Sequence, residues 1–264
     1  MRGMAVAEGK YIYGAIASRE ARNFGPIGVG DRNDLVYTIN YRDLAMVVSD
    51  SPIIIYDPDR KHALQHERVL GEIMKEFTVI PASFGLIFKS EADVQELLKK
   101  IYEEAMEALK NLDNKVELGL KVLWKKEYFA AEIEKGFPQL RQLKAAAARE
   151  SPKYRKQVFS KKFQLGQMIE NIVAQKRSRY IGEIYYGLQR YAVASVANDL
   201  ITNRMILNAA FLVDKNREQE FDAQVSRFYQ KYREKLDFRY TGPWPPYNFV
   251  KILLKLKGIG VVKR

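Results

Sequence analysis

Apolar positions along this chain follow two periods, and the switches between them mark out its elements. Residues 11–17 (YIYGAIA) are rich in β-forming side chains and predict a first strand. Residues 35–40 and 44–49 flank a short polar connection at 41–43, which predicts a hairpin with Leu44, Met46 and Val48 on one face. Residues 53–56 continue in extended form. Asp57 followed by Pro58 predicts a helix start, because aspartate accepts orphan amide hydrogens and proline's missing donor is harmless at the first helical position. That helix is expected to reach Phe77. Residues 78–88 (TVIPASFGLIF) hold a proline and a glycine within an apolar stretch, the pattern of an irregular or edge strand. A second helix is expected from Ser90, where Val94, Leu97, Leu98, Ile101, Ala105 and Leu109 repeat at helical spacing and Ser90 with Asp93 approximates a capping box. The segment NLDN at 111–114 ends it.

Beyond this point Val116, Leu118, Leu120, Val122 and Trp124 alternate with Glu117, Gly119 and Lys121, predicting a half-buried strand. A long helical region is expected over 127–197, broken at Ser151 and Pro152. Strand character returns at 205–213. Phe221, Val225, Phe228, Tyr229 and Tyr232 have helical spacing, and 236–240 is again extended. The order strand, helices, strand, helix, strand indicates an α+β arrangement rather than the regular alternation of a parallel sheet. No internal repeat is evident.

Charge sharpens the division. Residues 1–115 hold 15 Lys and Arg against 18 Asp and Glu, a net of −3, whereas 116–264 hold 29 against 14, a net of +15; together they give the +12 of the whole chain. A domain boundary near residue 115 follows. The 264 residues contain no cysteine, which removes disulfides and thiolate metal sites and fits a reducing cytoplasm. No stretch has the length and apolarity of a membrane span, and the first ten residues lack the apolar core of a signal peptide.

Candidate chemistry is sparse. His62 and His66, the only histidines, are spaced i, i+4, but the segment reads HALQH and lacks the glutamate of a zinc-protease helix, so a structural or solvated helix face is the favoured reading. The glycines in GPIGVG (25–30) miss the third position of a dinucleotide-binding turn, where Asn33 stands, and no P-loop lysine follows. Neither a nucleophilic triad nor a distinctive carboxylate pair emerges. The chain is therefore read as a non-enzyme without cofactor, metal or small-molecule substrate.

The stronger signal is a basic stretch at 135–179, with twelve cations and only Glu150 and Glu170 as acids, interleaved with Tyr154, Phe159, Phe163 and Tyr180. It reads as a solvated helix face, as a docking patch for an acidic protein surface, or, least favoured, as a single-strand nucleic-acid site. The last sixteen residues, FVKILLKLKGIGVVKR, are apolar with interspersed lysines. Docking on the body of the protein is favoured over a membrane surface, because lysine stems lie over apolar surface while their charges stay in water.

Residues 236–250, LDFRYTGPWPPYNFV, place three prolines around one tryptophan, so 241–249 is a stiff, extended connection. This motif resembles the signature of the gas vesicle F/L proteins. YIYGAIA, HERV with VIPASFGLIF, and ELGLKVLW look like the same family in the same order, so the resemblance spans nearly the whole chain.

The resemblance implies an N-terminal α+β domain of unusual topology (1–115) and a C-terminal modified ferredoxin-like domain (116–242). In the second, 127–197 would be a helical insertion, and the tail, 243–264, would pack between the domains. It further implies an accessory or minor structural protein of cytoplasmic gas vesicles. The expected partners are the small, very hydrophobic main shell protein and other gas vesicle accessory proteins. Residues expected to meet a partner are Tyr154, Arg155, Phe159, Phe163, Tyr180, Tyr185 and Tyr186. Those of the motif (Leu236, Asp237, Phe238, Arg239, Tyr240, Gly242, Pro243, Trp244, Pro245 and Pro246) are expected to be architectural, the end of a strand and a rigid hinge aiming the tail. The competing class is a nucleic-acid-binding protein using 135–179.

Overall fold

A computed structural model describes residues 7–129, 131, 155–250 and 261–262. By its internal contacts the chain divides into two units, Met1–Glu117 with Pro243–Arg264, and Leu118–Gly242. Along the chain, the second unit is thus inserted within the first.

The first unit is built on β1 (Glu8–Ala17), β2 (Asn23–Gly25), β3 (Val36–Tyr41), β4 (Leu44–Pro52), α1 (Arg60–Met74), β5 (Val79–Pro81), β6 (Ile87–Phe88), α2 (Glu91–Leu112) and the C-terminal strand Val261–Val262. The sheet runs C-terminal strand, β6, β1, β4, β3, β2, with β5 also paired to β1. β1 is central and carries a register shift between Ile12 and Gly14. Gly14 is required there, since a Cβ would stand 2.5 Å from the Ile80 carbonyl oxygen.

Both faces of this sheet are covered. Tyr11, Tyr13, Ala45 and Val47 cluster with Val69, Leu70 and Ile73 of α1, while Ile12 and Met46 share a pocket lining with Leu97 and Ile101 of α2. The hairpin forms as read, with Leu44, Met46 and Val48 on one face, and Ala45 and Val47 on the other are buried as well, as in a strand sandwiched between helices. Each of the leucine, methionine and valine side chains contributes roughly 1.5–3 kcal/mol relative to exposure.

Helix α1 starts later than expected. Its cap is Asp59, whose Oδ1 accepts from the His62 amide at 2.8 Å, and it ends at Met74, with Phe77 closing a turn onto the Ile73 carbonyl at 3.0 Å. Asp57 and Pro58 lie ahead of the helix. α2 is capped as read: Ser90 Oγ accepts from the Asp93 amide at 3.2 Å and donates to Asp93 Oδ2 at 2.6 Å. Its spaced apolar residues are buried, and Asn114 leaves the helix at φ 54°.

The second unit contains most of β7 (Lys115–Trp124), then α3 (Arg155–Gln189), β8 (Ala194–Ala197), β9 (Met205–Asp214), α4 (Glu218–Tyr232) and β10 (Leu236–Trp244), and its sheet order is β10-β7-β9-β8. This is the βαββαβ connectivity of ferredoxin-like folds. Ile184 and Leu188 of α3 and Phe221 and Val225 of α4 are buried, and Phe221 meets Phe211 of β9 at 5.1 Å between ring centroids. The expected helix to residue 197 is corrected: it stops at Gln189, and 194–197 pairs antiparallel with β9. Tertiary pairing overrides the helical preference of its alanines. The expected break at Ser151 and Pro152 lies outside the described residues. β10 extends through Pro243 to Trp244, beyond the expected 236–240, and proline is tolerated because β10 is an edge strand.

Candidate interaction surface

The features suspected of chemistry are engaged in structure. His66 is buried; its Nδ1 lies 3.0 Å from Tyr11 Oη and its ring stacks on Tyr13. Burial lowers its pKa to about 4, so it is neutral and serves packing. His62 instead sits at the helix start, with Nδ1 3.1 Å from Asp59 Oδ2. Among the described residues no three His, Asp or Glu side chains gather closely enough to hold a metal.

The amides of the 25–30 loop are likewise taken. Gly28 N donates to the Asp34 carbonyl, Val29 N to Tyr13 Oη and Gly30 N to Gln65 Oε1, at 2.9, 2.9 and 3.1 Å. Such a loop has no free amides to cradle a phosphate.

A pocket of about 240 Å³ opens in the first unit beside β1 and α2, lined by Ile12, Gly14, Met46, Ile80, Leu97 and Tyr247 among others. The lining carries no charged side chain, so the pocket suits an apolar group and not acid–base work.

Sequence reading missed Glu117. In an alternating strand it appears solvent-facing, yet it is 5% exposed, and its two carboxylate oxygens accept from Asn248 N at 2.8 Å and Nδ2 at 2.6 Å. Burial raises its pKa above the ordinary carboxylate range, with the two Asn248 hydrogen bonds opposing. Nearby in sequence, Tyr247 Oη donates to Glu67 Oε1 at 3.3 Å, and burial raises Glu67 as well. Two carboxylates thus hold the turn that follows Pro245 and Pro246, both of which are buried. Trp244 is 37% exposed, and Asp237, Arg239, Gly242 and Pro243 are exposed, while Leu236 is fully buried and Phe238 and Tyr240 are half-buried.

Of the expected partner-facing residues, Tyr154 lies outside the described residues. Arg155, Phe159 and Phe163 belong to α3, but their side chains lie outside what is described. Tyr180 packs on Tyr232 at 5.3 Å and Trp124 at 6.3 Å, and Tyr185 meets Phe211 and shares a hydrogen bond with Ser195 Oγ at 2.9 Å. Both are half-buried within their own unit. Tyr186 is 55% exposed, with Tyr185 at its edge. Among the nearby cations, Arg179 pairs with Glu183 and Arg177 lies over the Trp124 ring. Near Tyr186 in sequence, Val193, Leu200 and Ile201 are also exposed. Exposed apolar and aromatic side chains thus follow the basic stretch in sequence.

The family model described as gas vesicle synthesis protein GvpL/GvpF matches residues 9–251. Gas vesicle protein F1 of Halobacterium salinarum is 31% identical over 252 residues, covering 94% of this chain and 95% of its own length. Gas vesicle protein L1 of the same organism is 23% identical over 267 residues, covering 92% of this chain and 91% of its own length. The crystal structure of GvpF from Microcystis aeruginosa matches with a TM-score of 0.75 at 25% identity, covering 94% of this chain and 100% of that one. With the fold and the full-length match in agreement, the chain belongs to the GvpL/GvpF family of gas vesicle synthesis proteins.

Proposed function

We propose that this chain is an accessory or minor structural protein of cytoplasmic gas vesicles that binds the main apolar shell protein and supports its assembly. The observation carrying the reading is the family match over 9–251. Physical chemistry supplies a mechanism: shell subunits exposing large apolar areas aggregate unless those areas are covered until they join the wall. Exposed Tyr186, Val193, Leu200 and Ile201 are side chains of the kind that cover such surface. The basic stretch at 135–179, with Tyr154, Arg155, Phe159 and Phe163, is a second contact region in this reading, and other accessory proteins are further partners. The two units of the chain are taken as its two domains.

The test is deletion and complementation in a vesicle-forming host, combined with capture of coexpressed shell protein on the tagged chain. Loss of buoyancy on deletion, its restoration by the intact gene, and capture of shell protein are expected. Unimpaired vesicles together with absent capture would remove the reading. Tight, steeply salt-dependent binding of labelled single-stranded nucleic acid in place of shell protein would install the competing class.

A further inference from the structure

The two edges of the second unit's sheet are unlike. β10 presents Asp237, Arg239, Gly242 and Pro243 to solvent, the charges and proline with which proteins blunt an open edge. At the other edge stands β8, which has none of these. From Tyr191 to Asn198 (YAVASVAN) there is no charge, no proline and no glycine, in a chain of which 29% of residues are charged.

The pairing shows which peptide groups are open. Asn198 N donates to the Asn208 carbonyl at 2.7 Å, and the same register puts Val196 opposite Ala210 and Ala194 opposite Leu212. Antiparallel strands alternate, so Ala194 and Val196 turn their peptide groups to β9, while Ser195 and Ala197 turn theirs to the unpaired side. The apolar residues at its ends are exposed: Val193 by 55% before the strand and Ile201 by 70% after it, with Leu200 and Tyr186 also open.

We propose that the free edge of β8 takes an extended, uncharged, apolar segment of the shell subunit as an added strand, its side chains resting on Val193, Leu200, Ile201 and Tyr186. This rests on the reading that the chain binds shell protein. The occupant follows from charge. The second unit holds 24 Lys and Arg against 13 Asp and Glu, a net of +11, so a second copy brought edge to edge would set two like charges of that size against each other. An uncharged strand from a different, apolar protein meets no such repulsion and matches an edge with no charge of its own.

The test uses the full chain, tagged and coexpressed with the main shell protein. Ala197→Pro removes an outward N–H that no bond among the described residues uses and blocks strand addition; Ala197→Lys keeps the amide and places a charge on the edge. Both are expected to cut captured shell protein about tenfold, with the melting temperature within about 2 °C of the unaltered chain. Asp237→Lys at the opposite edge is expected to leave capture unchanged. In hydrogen exchange of the unaltered chain, the Ser195 and Ala197 amides are expected to gain protection when shell protein is bound, a readout that does not depend on the variants folding. Full capture by folded variants, or unchanged exchange at those two amides, overturns the edge while leaving shell binding intact. Absence of capture by the unaltered chain overturns the shell-binding reading and the edge together. A dimer in light scattering that Ala197→Pro dissolves assigns the edge to a second copy and overturns the proposal.

Discussion

Glu117 gives up water for two hydrogen bonds from a single residue 131 positions away, Asn248. Replacing it with leucine leaves the Asn248 amide without its acceptor, at a cost of about 1–3 kcal/mol in chemical denaturation. Glutamine, able to accept the same amide, is expected to lose far less. Because the folded-state pKa of Glu117 is raised, its protonation favours the folded state below the ordinary carboxylate range, and that contribution disappears as pH rises through the folded value. His66 works in the opposite sense. Its folded pKa of about 4 lies below its ordinary 6.5, so the stability it contributes is complete above 6.5 and is lost as pH falls through 4. Unfolding free energies measured between pH 7 and 4 should therefore fall less steeply in His66→Gln than in the unaltered chain; equal slopes would show that the imidazole titrates alike in both states.

At the level of elements, legibility followed the locality of the physics. α2 could be read from its apolar repeat and Ser90 because both signals lie within a few residues of each other. β8 could not, since four residues rich in alanine become a strand only by pairing with β9. Glu117 was hidden for a related reason: alternation identifies a polar residue as outward unless its partner, here Asn248, can be foreseen. The proline-rich motif was legible as rigid and extended, yet the burial within it was not. Its tryptophan would be the natural anchor by size, but Trp244 is 37% exposed, whereas Leu236 is fully buried. Leu236→Ala should therefore cost about 2–5 kcal/mol, and Trp244→Ala under about 1 kcal/mol, both compared by thermal melting. A larger loss from Trp244→Ala would mean that the ring holds the strand after all.

At the scale of the molecule, the first unit is discontinuous in sequence, and this sets how the chain must fold. Residues 1–117 supply its sheet and both helices, but Pro245, Pro246 and Asn248, together with the strand Val261–Val262 that pairs with β6, arrive only after the entire second unit. Closing that unit requires a loop spanning 118–242, whose ends are brought together at once when the second unit folds, so much of the closure entropy is met before the tail docks. Among the described residues the second unit draws none of its strands from the tail beyond Trp244. Ending the chain at Trp244, which keeps β10 whole, should then act on the first unit: Glu117 loses Asn248, Glu67 loses Tyr247, and β6 loses its outer neighbour. Hydrogen exchange on such a truncated chain is expected to show faster exchange in β1, β6 and α1 and near-unchanged protection in β9 and α4. If β9 and α4 lost protection to the same degree as β1, the two units would be unfolding as one cooperative body, and the tail would be stabilising the whole chain instead of the unit it completes.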